Sequence, residues 1–175
     1  MLKLFSVLVL ITSLVKSDYS DDDHTVQLNN LGAKQLGQKY RVIYQKGFSV
    51  DFSLDTAKKE ITLVARVPDN TYLSVGWGET MYETDMIVWQ ATKKGESSDL
   101  LSLDHSTPKI DESQDYKTTM KKYKGGKQFT SVRSLDTGDT EQDRVIDLSS
   151  EPQIFCWALN EGGSDFGYHS ARGNF

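Results

Sequence analysis

Cysteine is nearly missing from this 175-residue chain: Cys156 is the single one. No intramolecular disulfide can form, so the fold must be held by packing. Cys156 sits in the apolar run Ile154-Phe-Cys-Trp-Ala-Leu159, which gives it the character of a small buried hydrophobe. A basic surplus is missing too. The net charge of −5 and pI near 5.2 leave no basic face to neutralise phosphates, which excludes nucleic acid as a partner. The one lysine cluster, Lys121 to Lys127, contains Gly125-Gly126 and reads as a solvated hairpin connection. The apolar run from Leu4 to Val15 is too short for a comfortable membrane span, and nothing later resembles one. No segment carries a long helical period, an internal repeat or low complexity beyond the acidic stretch near the N-terminus. Enzymatic signatures are absent as well: no G-x-S-x-G, H-E-x-x-H or phosphate-binding glycine loop occurs. Without C-x-x-C-H, covalent c-type haem attachment is excluded.

What is present begins with Met1-Leu-Lys3, an apolar run and Lys16-Ser17, the pattern of a secretory signal peptide over residues 1–17. The expected destination is the cell exterior or the lumen of the secretory pathway, and the expected mature chain has no transmembrane span. Residues 18–35 read as an acidic lead-in without periodicity. A single domain is expected from 36 to 175. Short β-rich runs are predicted at Tyr40–Tyr44, Phe48–Leu54, Ile61–Val67, Tyr72–Gly78, Met86–Ala91, Phe129–Arg133, Arg144–Leu148 and Ile154–Leu159. Phe48, Val50, Phe52 and Leu54 share one face of their run, as do Ile61, Leu63, Ala65 and Val67. Asp55–Lys59 and Pro68–Thr71 supply turns. Many short strands without a long helix define an all-β, antiparallel β-sandwich of immunoglobulin-like two-sheet architecture.

Met81 and His169 lie on distant polar segments flanked by glycine. A thioether and an imidazole can ligate a haem iron from both faces, and that pairing raises its reduction potential. Each residue also has a structural role open to it, Met81 as a core filler and His169 as a local hydrogen-bonding group. Trp77, Trp89, Trp157, Tyr72 and Tyr168 can line a pocket for a porphyrin or a sugar ring, or pack as core. Asp104, Asp111 and Asp115, with His105 and Gln114, offer oxygen ligands to a hard cation, or cap turns around Pro108. Arg133 suits a structural bridge to a buried carboxylate. Arg172 can neutralise a haem propionate or sit in solvent.

Six fragments in order resemble the DOMON domain, the module of dopamine β-monooxygenase relatives and of the cytochrome domain of cellobiose dehydrogenase. Tyr72-Leu-Ser-Val-Gly-Trp-Gly78 resembles its strand and G-x-G turn. Met81-Tyr-Glu-Thr-Asp85 resembles its M-x-x-x-D loop, with Met86–Trp89 the strand that follows. Asp104, Pro108, Asp111 and Gln114-Asp115 are similar to its D…P…D…Q-D stretch. Arg133-Ser-Leu-Asp-Thr-Gly-Asp139 with Asp143 resembles R-x-L-x-T-x-D…D, Trp157-Ala158 the W-A strand, and Tyr168-His-Ser-Ala-Arg-Gly173 the Y-H-x-x-R-G close. The resemblance implies a β-sandwich. In its haem-binding members it implies haem b held by the residues matching Met81 and His169; Arg172, Trp77 and Tyr168 are the candidates to stand beside it. The implied role is single-electron transfer to a redox partner protein, with no catalysis by the module itself. A haem-free module recognising a carbohydrate or a protein outside the cell is the alternative. The chain ends just after the last motif, where family members usually continue, so a missing final strand or an uncovered edge is expected.

Overall fold

The computed structural model describes residues 39–42, 47–146 and 155–174. The expected signal peptide and lead-in, and parts of the Tyr40–Tyr44 and Arg144–Leu148 runs, lie outside the described residues. Among those described, all regular structure is β: β1 (Lys39–Val42), β2 (Ser49–Asp55), β3 (Glu60–Pro68), β4 (Tyr72–Gly76), β5 (Thr84–Gln90), β6 (Glu96–Ser102), β7 (Lys109–Ile110), β8 (Lys117–Tyr123), β9 (Gly126–Ser134), β10 (Cys156–Asn160) and β11 (Ala171–Asn174). Two antiparallel sheets form, one in the order β1-β2-β3-β9-β8 and the other β11-β10-β4-β5-β6-β7. No helix in the described residues is long and apolar enough to cross a membrane.

Alternation builds the interior. Ile61, Leu63, Ala65 and Val67 point inward from β3, and their cross-strand partners Val50, Phe52 and Phe129 fill the same layer. Leu73, Val75, Ile87, Trp89 and Leu159 close it from the second sheet. The buried indole N–H of Trp89 finds a partner in Ser131 Oγ at 2.9 Å. The lysine cluster is a hairpin as expected, with β8 and β9 joined through Lys124 and Gly125, both at positive φ (35° and 78°). Gly126 cannot carry a side chain, because a Cβ there would lie 2.3 Å from the Val67 carbonyl oxygen.

Four strands escaped the sequence pattern, the two-residue β7 among them. β6 and β8 read as polar (ESSDLLS and KTTMKKY), since one face or both meet solvent and β-propensity there is weak. β11 is built from the final motif itself, pairing Gly173 with Trp157 and Ala171 with Leu159. One predicted strand is corrected: Arg144–Ile146 is irregular. Its backbone groups serve single ties instead, Arg144 N to Asp85 Oδ2 (2.9 Å) and Ile146 N to Leu135 O (2.8 Å).

Candidate functional site

The central strands of the second sheet are buried on both faces. Every residue of β4 is buried, and so is β5 up to Val88 and Trp89. β3 of the first sheet, by contrast, alternates buried with half-buried. The face of β4 and β5 turned away from the interior carries Tyr72, Ser74, Gly76, Met86 and Val88, continued by Leu100 on β6 and by Cys156 and Ala158 on β10. Tyr72, Met86, Val88 and Leu100 form a second apolar cluster there, with Phe166 packed against it.

Two loops fold onto this outward face from opposite ends. The β10–β11 loop crosses the Tyr72 end: Phe166 meets the Tyr72 ring edge-on at 5.2 Å, Tyr72 donates its hydroxyl to Gly167 O (2.7 Å), and Gln90 Nε2 donates to Ser164 O (2.7 Å). This loop carries His169. The β4–β5 loop covers the other end, where the Thr80 carbonyl accepts from Thr84 Oγ1 (2.6 Å) and from Cys156 Sγ (3.5 Å). This loop carries Met81. Ser170 N of the β10–β11 loop donates to Leu159 O (2.8 Å), and Cys156 and Leu159 lie three residues apart on β10, about 10 Å at the strand rise. Met81 and His169 are both half-buried. His169 stacks on Tyr168, with ring centroids 5.2 Å apart. Burial, and then the charge of Arg172, hold its pKa below the ordinary value, which favours the neutral imidazole. Arg172 is exposed on β11, and Tyr168 is 91 % exposed. Burial pushes the Cys156 thiol up to about 11.

Trp77, expected beside a cofactor, instead lies in the interior. Its N–H donates to Tyr116 Oη at 2.7 Å, and its ring packs on Phe155 at 4.4 Å. Trp89 is likewise core, and Trp157 packs against the core from β10. The expected trio of Asp104, Asp111 and Asp115 is not gathered as one group. Asp104 is exposed and accepts from Ser106 N (2.6 Å), while Asp111 is buried and caps Ser113 N (2.8 Å).

A different carboxylate group assembles where the β4–β5 loop re-enters the sandwich. Asp85, Asp99 and Asp143 each place an oxygen within 4.8 Å of the others. Arg133, wholly buried, reaches Asp85 Oδ2 at 2.6 Å and Asp143 Oδ2 at 3.6 Å, and donates to Arg144 O at 2.7 Å. Arg144 in turn donates Nη1 to Trp77 O (2.8 Å), and Trp77 N donates to Asp85 O (2.8 Å). Both ends of the Met81 loop are thereby fastened to one polar network. Arg133 as a bridge to a buried carboxylate was legible in the sequence. The three aspartates were not, because they sit on β5, on β6 and in the segment after β9, and only the topology brings them together.

A two-sheet antiparallel sandwich with one sheet covered on its outer side by two long loops defines the class of this domain. The DOMON domain model matches residues 44–160, and the chain belongs to that family. Two solved structures share the fold. The cytochrome b domain of pyranose dehydrogenase from Coprinopsis cinerea superposes with a TM-score of 0.61 at 15 % identity, covering 77 % of this chain and 78 % of that one. The cytochrome domain of Myriococcum thermophilum cellobiose dehydrogenase gives 0.54 at 11 % identity, covering 78 % of each. No functionally curated protein matches the chain.

Proposed function

We propose that this domain is a secreted b-type haem-binding module for single-electron transfer, with Met81 and His169 as the axial ligands. The carrying observation is the placement of these two side chains. Both are half-buried, on the two loops that fold over one apolar face of the β11-β10-β4-β5-β6-β7 sheet.

The donor set fits such a group on its own chemistry. A neutral imidazole offers a lone pair, and His169 is held toward that form by burial and by Arg172. The Met81 thioether is a soft, neutral ligand. Tyr72, Val88, Leu100 and Phe166 supply an apolar wall. Arg172, free to face solvent on β11, can meet a propionate with a charge-assisted hydrogen bond. When bound, haem supplies reversible one-electron exchange. Met81 and His169 would hold the haem between them, and catalysis would fall to a partner enzyme. The sequence's leader pattern supports delivery to the secretory route.

The test is reconstitution of the purified chain with haem followed by optical spectroscopy. A low-spin spectrum on reduction, lost in both Met81→Ala and His169→Ala, is the expected result. A chain that develops no Soret band after haem supplementation overturns the reading.

A further inference from the structure

We propose that the end of the sandwich formed by the β3–β4, β5–β6 and β8–β9 turns binds a sulfated polysaccharide. The acidic total of the chain hides a local reversal of sign there. Lys93 and Lys94 on the β5–β6 turn join Lys121, Lys122 and Lys124 of the β8–β9 hairpin, and all five are exposed. Two carboxylates lie on these turns or at their mouths: Asp69, which Lys127 Nζ holds at 2.8 Å, and the exposed Glu96. Glu161 and Asp165, on the β10–β11 loop, belong instead to the outward face of the second sheet, whereas the hairpin belongs to the first. Asp55, Glu60 and Asp136 sit at the far end, because β3 runs from Glu60 to Pro68, about 26 Å at the strand rise. The screening length at physiological salt is about 8 Å, so the far acids do not cancel the lysines.

The fold fixes the cleft between the turns. Asp69 N donates to Gly125 O (3.1 Å) and Asn70 N to Ala91 O (2.9 Å), which ties the β3–β4 turn to both of the others. Asn70, Gly95, Lys124 and Gly125 all take positive φ (60°, 77°, 35° and 78°), the conformation of tight turns. Gly95 also brings the β5–β6 turn down onto the hairpin: a Cβ there would lie 2.8 Å from Met120 Cε and 2.9 Å from Lys127 Cδ. The result is an open cleft of about 610 Å³, lined by Lys93, Lys122 and Lys124 and by Ala91 and the buried stem of Lys127. That volume is in the range of small-ligand sites, and an open mouth lets a longer chain pass through.

Residue type selects the ligand. The exposed cations on the turns are all lysine, point charges without the planar fork with which arginine reads a defined carboxylate or phosphopeptide. Clustered lysines instead hold a flexible polyanion by releasing its counterions, and a run such as Lys121-Lys-Tyr-Lys-Gly-Gly-Lys127 is of the kind that binds nucleic acid or heparin. Between those two, the leader pattern selects the glycan, since sulfated polysaccharides are the abundant polyanions outside the cell. That choice rests on the proposed secretory destination; the charge geometry does not, and neither depends on haem.

The whole chain, free of haem, is titrated by calorimetry with a heparin oligosaccharide. Saturable binding is expected, weakening about a hundredfold between about 50 and about 200 mM salt, as counterion release by about four lysine contacts requires. Lys93→Gln with Lys94→Gln, and Lys122→Gln with Lys124→Asn, should each weaken affinity about tenfold or more, asparagine at 124 being at ease with positive φ. Lys58→Gln with Lys117→Gln, on exposed lysines away from the cleft, should leave it unchanged. On the wild type, desulfated heparin, poly-aspartate and a DNA duplex should each compete about tenfold or more less well than heparin itself. No saturable binding of heparin, binding unchanged in both cleft variants, or any of the three competitors matching heparin overturns the proposal. The readout needs neither secretion nor haem, so its failure leaves the haem reading standing.

Discussion

The two polar regions that flank the β4–β5 connection are built on opposite principles. At the Asp85 end, the side chains come from strands and an ordered segment and are almost wholly buried, and Arg133 ties two of the three aspartates. On the outward face, Met81 and His169 come from loops and are half-buried, and the face those loops meet carries the apolar cluster of Tyr72, Met86, Val88 and Leu100. A strand-borne charge network is rigid and expensive to disturb. A loop-borne pair of neutral donors costs the fold little and can adapt. The first region therefore acts on stability and loop placement, and the second is the one proposed to bind haem.

That division is open to direct attack. Replacing Arg133 by Ala strands Asp85 and Asp143 in the interior, and denaturant unfolding should show a loss of about 3–5 kcal/mol. The same experiment on Met81→Ala or His169→Ala without haem should move stability by about 1 kcal/mol or less, although either substitution should abolish the haem spectrum the proposed function requires. If these variants unfold as readily as Arg133→Ala, the outward face is part of the scaffold and the contrast fails. Trp77→Phe probes the seam between the regions. It removes the N–H bond to Tyr116 but keeps most of the packing, so a cost of about 1–2 kcal/mol is expected from thermal melts, with haem uptake preserved.

The gentlest probe leaves the sequence intact. With its pKa pushed up to about 11, the Cys156 thiol is protonated at pH 8 and its thiolate becomes abundant only as the pH approaches 11. Alkylation at pH 8 should run about a hundredfold slower than for an ordinary cysteine and accelerate about tenfold per pH unit above it. Fast labelling at pH 8 would show that the Met81 loop stands open over the outward face.

Much of this was legible in the residues. Alternation in Ile61–Val67 and Phe48–Leu54 located β2 and β3, and turn chemistry located the breaks around them, because a strand with one buried face must alternate. β6 and β8 were illegible for the same reason in reverse, their polar residues carrying no apolar period. Arg133 was recognisable as a bridge, since a guanidinium in a β-rich run needs a carboxylate. Which carboxylate was not, with Asp85, Asp99 and Asp143 far apart in the chain. Trp77 was misplaced because an aromatic beside a G-x-G turn suits a pocket wall and a core equally, and only the strand's facing decides.

By itself the sequence determined the sandwich and the family, and it singled out the segments of Met81 and His169, all properties of local pattern and ordered motifs. The tertiary structure alone decided that the loops bearing Met81 and His169 cover one face, and that three dispersed aspartates converge beside a buried arginine. Both depend on register and facing. The pairing of β4 with β5, β6 and β10 sets which side chains share a surface, and no single segment carries that information.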